Sequence, residues 1–200
     1  MRAPDSGQRP DFGPDQEHET EEFPAQPSCI SGMSEAQRYE YWAALALKYT
    51  PGLGNRSWQR LLTGFGSAAL AVKNIDNWRD LGIRSDSALA FRSDAWRADA
   101  KAEWQALHKH PQNILLWDSP FYPQLLKSTH SPPLFLYYKG DISLLGNPKV
   151  AIVGARNASP EGLSACAAVS RRLAAAGVTI VSGLARGIDS EAGGGFTVVR

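Results

Sequence analysis

In the first half of the chain, hydrophobic and polar residues alternate with the period of a helix. Ser34 is a residue type that caps helices. After it, apolar side chains recur four residues apart at Tyr41, Leu45 and Tyr49. Two later segments show a similar period, with apolar stripes at Trp58, Leu61, Leu62 and Phe65, and at Trp96, Ala100, Trp104 and Leu107. The pattern predicts a small helical domain over residues 34–110, with its tryptophans in the core.

The pattern changes after Pro111. The runs NILLW (113–117) and PLFLYY (133–138) are short, apolar and aromatic, and their flanking Pro, Asp and Gly residues favour strands over helices. A second domain is therefore expected over residues 111–200. The segment 1–33, by contrast, is rich in Pro, Gly and acidic residues and has no apolar period, so we expect a disordered acidic tail there.

The clearest unit of the second domain begins with KVAIVG (149–154), a continuous apolar run of the kind that is buried on both faces of a parallel sheet. Ser159 can cap the helix that follows, Pro160 suits its first position, and Gly177 ends it. VTIVS (178–182) is then a second buried strand. This order predicts a right-handed βαβ crossover whose two strands end at one edge, where open α/β sheets bind ligands.

These elements together predict the α/β class. We expect a small N-terminal all-helical domain, similar to SAM or helix-hairpin-helix domains, followed by an incomplete Rossmann-like domain with a largely parallel sheet. A chain of 200 residues with 43% hydrophobic content can bury a core in one or two such domains.

Charge and composition narrow the class of function. The formal net charge is +1, but residues 1–32 carry two Arg against seven Asp and Glu, which leaves +6 on the rest of the chain. A basic body permits a polyanionic partner without requiring one. No apolar run suits a signal peptide or a membrane span. Cys29 and Cys166 are far apart in the sequence and form no disulfide framework or zinc-ligand pair, so we expect a cytoplasmic protein.

The segment PGLG (51–54) joins two predicted helices and is a first candidate for phosphate contact. In a helix-hairpin-helix, a tight glycine turn presents backbone N–H groups to a nucleic-acid phosphate, because a Cβ would block the close approach. Gly52 and Gly54 stand at the corresponding places. The same turn joins many helix pairs that bind nothing, so a purely structural role for both glycines stays open.

A second candidate lies at the predicted sheet edge. The turn GARNAS (154–159) lacks the three glycines of a dinucleotide fingerprint. The second strand ends in Ser182 and Gly183, where a ribose-binding acid is expected in dinucleotide folds. The edge instead offers Arg156 after the first strand and Arg186 after the second. These residues predict a site that holds phosphate without performing chemistry.

No metal or cofactor is expected at this edge. Asp189 is the nearby acid, and we expect it to cap a helix or orient Arg186 rather than act as a general acid. His108 and His110 stand two residues apart, so on a helix they point to different faces and do not suit a metal pair. The rival class is an enzyme that cleaves a free nucleotide, similar to phosphoribohydrolases. It needs a carboxylate at the ribose, and none is visible beside the two arginines.

Three segments carry a resemblance to a known family. KVAIVGARNASPEG (149–162), GVTIVSGLARGIDSEA (177–192) and the preceding FYPQLLKSTHSPPLFLYYKGD (121–141) resemble the DNA-processing protein A family, DprA/Smf. With the PGLG region, the similarity covers roughly residues 36–192. The resemblance implies a non-catalytic protein that binds single-stranded DNA on a Rossmann-like domain, protects it during natural transformation and loads the RecA recombinase.

By the same resemblance, the two motifs implicate a set of residues in binding the DNA phosphates: Gly154, Arg156, Ser182, Gly183 and Arg186. After Ala192 the sequence reads GGGFTVVR and departs from the family pattern, which we interpret as a frameshift, a truncated gene model or a fragment. The resemblance implies a homodimer for the complete family protein, with the dimerisation and RecA-binding surfaces expected beyond this departure. An inactive truncated remnant is the remaining alternative.

Overall fold

The computed structural model describes residues 29–193. The predicted acidic tail lies outside the described residues as far as residue 28, and the departing end lies outside them from residue 194 onward. No helix within the described range is both long enough and apolar enough to cross a membrane. At the start of the range, Ile30 and Met33 are buried against the helices that follow.

Helix α1 (Glu35–Tyr49) begins directly after Ser34, as the sequence predicts. The Ser34 side chain accepts a hydrogen bond from the Gln37 backbone N–H, and the Gln37 side chain accepts one from the Ser34 N–H. This pair is a capping box, which satisfies two backbone donors that the first turn leaves free. Tyr41 and Leu45 are fully buried, so the predicted apolar stripe faces the core.

Four further helices complete the helical region. They are α2 (Asn55–Phe65), α3 (Ala68–Lys73), α4 (Ser85–Arg92) and α5 (Arg97–Lys109), with a 3-10 helix at Ile75–Leu81 between α3 and α4. Trp42 lies edge-on to both Trp96 and Trp104, in the arrangement that aromatic rings prefer. The prediction that the tryptophans form a core is confirmed for Trp78 and Trp96, which are buried.

Two acidic side chains tie the helical region together. Glu40 is buried and accepts hydrogen bonds from the backbone N–H groups of Ala68 and Ala69, at 2.6 and 2.8 Å, so it caps α3. Burial raises the pKa of Glu40. Glu103 accepts hydrogen bonds from Lys48 Nζ at 2.7 Å and from two tyrosine hydroxyls. Burial by itself raises the pKa of Glu103, but these hydrogen bonds outweigh burial and hold that pKa below its usual value.

The two predicted strands after Pro111 are confirmed as β1 (Asn113–Leu116) and β2 (Phe135–Tyr138), which pair antiparallel. Their apolar residues belong to the same buried cluster as the helices, and the Tyr41 ring lies edge-on to Phe135 with 5.2 Å between centroids. A short helix, α6 (Gln124–Lys127), joins the strands, and a 3-10 helix at Ile142–Gly146 follows β2. The boundary at residue 110 stays a prediction, and the segments on its two sides share one core.

Strands β3 (Lys149–Ala151) and β4 (Thr179–Val181) pair in parallel and are joined by helix α7 (Pro160–Ala175). Helix α8 (Ile188–Ala192) follows β4. The predicted βαβ unit is therefore confirmed. Its small core is separate from that of the helical region and contains Ile180 of β4, together with Cys166 and Ala192 from the two helices.

The sheet differs from the prediction in two respects. The described residues form two separate strand pairs, one antiparallel and one parallel, where a largely parallel sheet was expected. The expectation that KVAIVG is buried on both faces is wrong, because every residue of β3 is exposed and Val153 beyond it is 75% exposed. Within residues 29–193, β3 pairs with β4 alone, so it lacks the second neighbouring strand that buries a central strand.

Candidate functional site

Helix α7 follows the first strand of the βαβ unit, and local sequence signals fix both of its ends. The Ser159 side chain accepts a hydrogen bond from the Gly162 N–H, and Pro160 takes the first helical position, as predicted. Glu161 lies in the first turn, where hydrogen bonds from its own backbone N–H and from Ser159 lower its pKa. At the other end, Gly177 adopts φ +76° just beyond the helix and lets the chain turn into β4.

Two loops form the edge of the parallel strand pair. The first loop (residues 152–159) leaves β3, and the second loop (residues 182–187) leaves β4. Directly after the second loop, the Ile188 N–H donates to the Ala155 carbonyl oxygen of the first loop at 3.2 Å. Gly187 has φ +83°, and a Cβ there would lie 2.2 Å from the same oxygen. Glycine alone fits this close approach, which brings the two loops together at the sheet edge.

The two predicted arginines lie one on each loop, at the place where the two backbones approach each other. Arg186 directly precedes Gly187, and a Cβ on Gly187 would lie 2.6 Å from the Arg156 carbonyl oxygen. Both arginines are exposed. Arg186 Nη2 donates to Asn157 Oδ1 at 3.0 Å, whereas the Arg156 guanidinium makes no hydrogen bond or ion pair to another described residue. Sequence reasoning missed Asn157, and its position beside Arg156 in an exposed turn is the signal that points to it.

Asp189 has a different role from the one expected. It is 8% exposed, and its Oδ1 accepts a hydrogen bond from the Gly154 N–H at 3.1 Å. It does not cap α8, whose first turn has no side-chain cap, and it does not orient Arg186, which binds Asn157. The expectation of a cap or an arginine partner is therefore wrong. The carboxylate is buried and binds the backbone of the first loop.

The other predicted site residues lie close to Ile188 and Asp189. A Cβ on Gly183 would lie 3.1 Å from Asp189 Oδ2, and a Cβ on Gly154 would lie 2.8 Å from the Ile188 side chain. The Ser182 hydroxyl donates to the Asp189 backbone carbonyl at 3.2 Å. The motif residues thus lie together at the sheet edge, with the two arginines exposed. The N–H of Gly154 is already engaged by Asp189 and is not a free donor.

The charges at this edge are separated by depth. The two arginine side chains are exposed and positive, whereas the Asp189 carboxylate is buried beneath the loops. An anion that approaches from solvent therefore meets the guanidinium groups first. Among residues 29–193, no group of three or more His, Cys, Asp or Glu side chains is arranged to hold a metal ion. The chemistry that this arrangement supports best is the binding of an anion with several oxygen acceptors.

The glycine hairpin between α1 and α2 is a separate location. Gly52 has φ +81°, and a Cβ there would lie 2.8 Å from Ser87 Oγ, so the fold itself requires a glycine. Gly54 precedes α2 in an extended conformation, and a Cβ there would meet no atom within 4 Å. The structure therefore gives an internal reason for glycine at position 52 and none at position 54.

A comparison with protein families matches residues 113–195 to DNA recombination-mediator protein A. This part of the chain belongs to the DprA/Smf family. Protein Smf of Synechocystis is 41% identical over 96 residues, which are 44% of this chain and 24% of that protein. DprA of Streptococcus pneumoniae is 44% identical over 84 residues, which are 42% of this chain and 29% of that protein. The chain thus spans less than a third of the length of these relatives.

One solved structure extends the likeness to DprA beyond the family segment. The X-ray structure of DprA from Streptococcus pneumoniae matches 76% of this chain and 52% of that chain, with a TM-score of 0.58 and 28% sequence identity. Since 76% of the chain is longer than residues 113–195, the matched fold includes part of the helical region. A structure concerning the single-stranded DNA binding mode of DprA from Helicobacter pylori covers 35% of this chain at 41% identity, with a TM-score of 0.34.

Proposed function

We propose that the sheet edge formed by the two loops binds single-stranded DNA through its phosphate backbone. The DprA family, to which residues 113–195 belong, binds single-stranded DNA. The observation that carries the proposal is the joint exposure of Arg156 and Arg186 on two loops in backbone contact. Guanidinium groups form planar, paired hydrogen bonds with phosphate oxygens, and two of them at one edge suit neighbouring phosphates of one strand.

Contact with the backbone fits these loops better than recognition of bases. Proteins that recognise the bases of a single strand stack them on aromatic rings and form hydrogen bonds with the base edges. The first and second loops contain no aromatic residue, and their charged side chains are the two arginines. We therefore propose an affinity that is similar for all base sequences and depends strongly on salt.

The site is proposed to hold phosphate without catalysing a reaction. General acid–base catalysis needs a titratable group that reaches the reacting atoms. Asp189, the acid that the sequence places beside the arginines, is buried, and its Oδ1 accepts the Gly154 N–H. The rival proposal of a nucleotide-cleaving enzyme needs a carboxylate at the ribose, and the geometry of Asp189 gives it no support. Release of a free base from a nucleotide by the pure chain would contradict the non-catalytic proposal.

The wider role is proposed from the family alone. We propose that the complete protein acts in the cytoplasm in natural transformation and recombination, protects single-stranded DNA, loads RecA and forms a homodimer. In it, β3 and β4 belong to a larger, mostly parallel Rossmann-like sheet. The division into a tail (1–33), a helical domain (34–110) and a sheet domain (111–200) is part of the same proposal. So is an additional DNA contact at Gly52 and Gly54.

The test replaces Arg156 or Arg186 by Ala in the full chain and measures binding to a fluorescently labelled oligothymidylate over a range of salt concentrations. Each lost phosphate contact should weaken binding and reduce the slope of log affinity against log salt by about 0.7. Arg84→Ala is the matched control, because Arg84 is exposed on the helical region and its loss changes the net charge equally. Equal salt slopes for the wild type, R156A, R186A and R84A would overturn the proposal.

A further inference from the structure

Asp189 lies between the two loops, and its side chain is close to the backbone of both. Oδ1 accepts the Gly154 N–H of the first loop at 3.1 Å. Oδ2 faces the second loop, where a Cβ on Gly183 would lie only 3.1 Å away. We propose that Asp189 is a positioning residue, which sets the spacing of the two arginine-bearing loops for phosphate binding. This inference rests on the proposed function of the same site.

A carboxylate beside a phosphate site needs a physical reason, because it repels the ligand. Two like charges repel strongly at close range near a protein surface, because the effective dielectric constant there is well below that of water. Asp189 is only 8% exposed and is turned toward the loop backbones, while Arg156 and Arg186 are exposed. The carboxylate thus acts as a hydrogen-bond acceptor inside the fold. Because the two arginines are exposed, an approaching phosphate meets their positive charge before the buried carboxylate.

Two hydrogen bonds join the backbone of the first loop to the start of helix α8, directly after the second loop. The Ile188 N–H binds the Ala155 carbonyl, and the next residue, Asp189, binds the N–H of Gly154. Without the carboxylate, the Gly154 N–H loses its acceptor and the first loop keeps a single backbone bond to the start of α8. A hydrogen bond to a charged acceptor is strong enough to change a conformational equilibrium about tenfold, so its loss releases the first loop.

Two substitutions separate the roles of charge and geometry. Asp189→Asn removes the negative charge but keeps an acceptor oxygen that can bind the Gly154 N–H. Asp189→Ala removes both. If Asp189 acted on DNA only through its charge, both variants would bind DNA more tightly than the wild type. If it positions the loops, D189A binds about tenfold more weakly, whereas D189N binds as tightly as the wild type or more tightly.

The experiment uses the full chain and a labelled oligothymidylate at fixed salt, with Asp86→Ala as a control that removes an exposed carboxylate from the helical region. Weaker binding by D189A, together with binding by D189N at the wild-type level or above, supports the proposal. Tighter binding by D189A, or a loss by D189N equal to that of D189A, overturns it. Should D189A fail to fold, the Gly154 amide decides: protection of this amide from hydrogen exchange in both the wild type and D189N supports the proposal, and loss of protection in either overturns it.

A second readout needs no DNA. Hydrogen exchange of the Gly154 amide, followed by NMR, reports directly on its bond to Asp189. The amide should be protected in the wild type and in D189N and exchange about tenfold faster in D189A. Unprotected Gly154 in the wild type would overturn the positioning role. If protection follows this order while R156A and R186A leave DNA binding unchanged, the proposed function fails and the structural coupling stands.

Discussion

The contact between the loops depends on the absence of a side chain at Gly187, and Gly187→Ala therefore tests how the site is built. The residue has φ +83° and ψ −129°, a conformation that costs a non-glycine residue about 1–3 kcal/mol. The added Cβ would also lie 2.2 Å from the Ala155 carbonyl oxygen. That backbone atom cannot move away without loss of its bond to the Ile188 N–H, worth about 1 kcal/mol. We expect a total destabilisation of about 3 kcal/mol.

Gly177→Ala is the matched control within the same βαβ unit. Gly177 has φ +76°, but a Cβ there would meet no atom within 4 Å, so its substitution costs only the backbone strain of about 1 kcal/mol. The two glycines have a similar φ, so the difference between the two variants measures the steric contact between the loops together with the strain of the unusual ψ of Gly187, −129°.

The assay must report on the βαβ unit itself. All six tryptophans lie between residues 42 and 117, so tryptophan fluorescence follows the helical region. The Ile152 N–H, which donates to the Val181 carbonyl at 3.0 Å, reports on the parallel strand pair by hydrogen exchange. Its protection should fall about 100-fold in G187A and about fivefold in G177A. Equal losses in the two variants would refute the close approach of the loops.

Further predictions concern the helical region. If the glycine hairpin touches DNA, Gly54→Ala should weaken DNA binding, measured by fluorescence anisotropy, without loss of stability. Gly52→Ala should lower the free energy of unfolding by about 1 kcal/mol in any case, measured by urea unfolding. Because the pKa of Glu40 is raised, its contribution to the free energy of unfolding should be lost as the pH rises above 4.5. The E40Q variant should lack this dependence of the free energy of unfolding on pH. The pKa of Glu103 is lowered, so its contribution should be lost as the pH falls below 4.5, and E103Q should remove that loss. Limited proteolysis of the full chain should spare residues 113–138 together with the helices, because they share one core; early cleavage there would contradict the shared core.

Signals that act over a few residues were readable from the sequence. Ser34 and Ser159 cap their helices because a short hydroxyl side chain reaches the free N–H groups of the first turn. Pro160 supplies the φ of a first helical position. The crossover rule then brings the ends of two parallel strands to one edge. For this reason the placement of Arg156 and Arg186 on adjacent loops could be predicted.

Burial of the strands could not be predicted in the same way. An apolar run indicates that a strand can be buried on two faces, but neighbours from distant parts of the chain decide whether it is. Val150 in β3 is 40% exposed, although its run is as apolar as that of β4, where Ile180 is buried. The antiparallel pairing of β1 with β2 likewise depends on their joint packing against α1, which no local pattern encodes.

The role of Asp189 shows the same limit at the scale of a single side chain. Its place at the start of α8 suggests a helix cap or a partner for Arg186, since both are within a few residues. Its partner is instead the N–H of Gly154, 35 residues away in sequence. The carboxylate is buried under the loops and binds the backbone of the first loop, while the exposed arginines keep the outer face positive. A motif with one acid and two arginines therefore need not be catalytic. An exposed charge is accessible to a ligand, whereas a buried charge contacts only the rest of the protein.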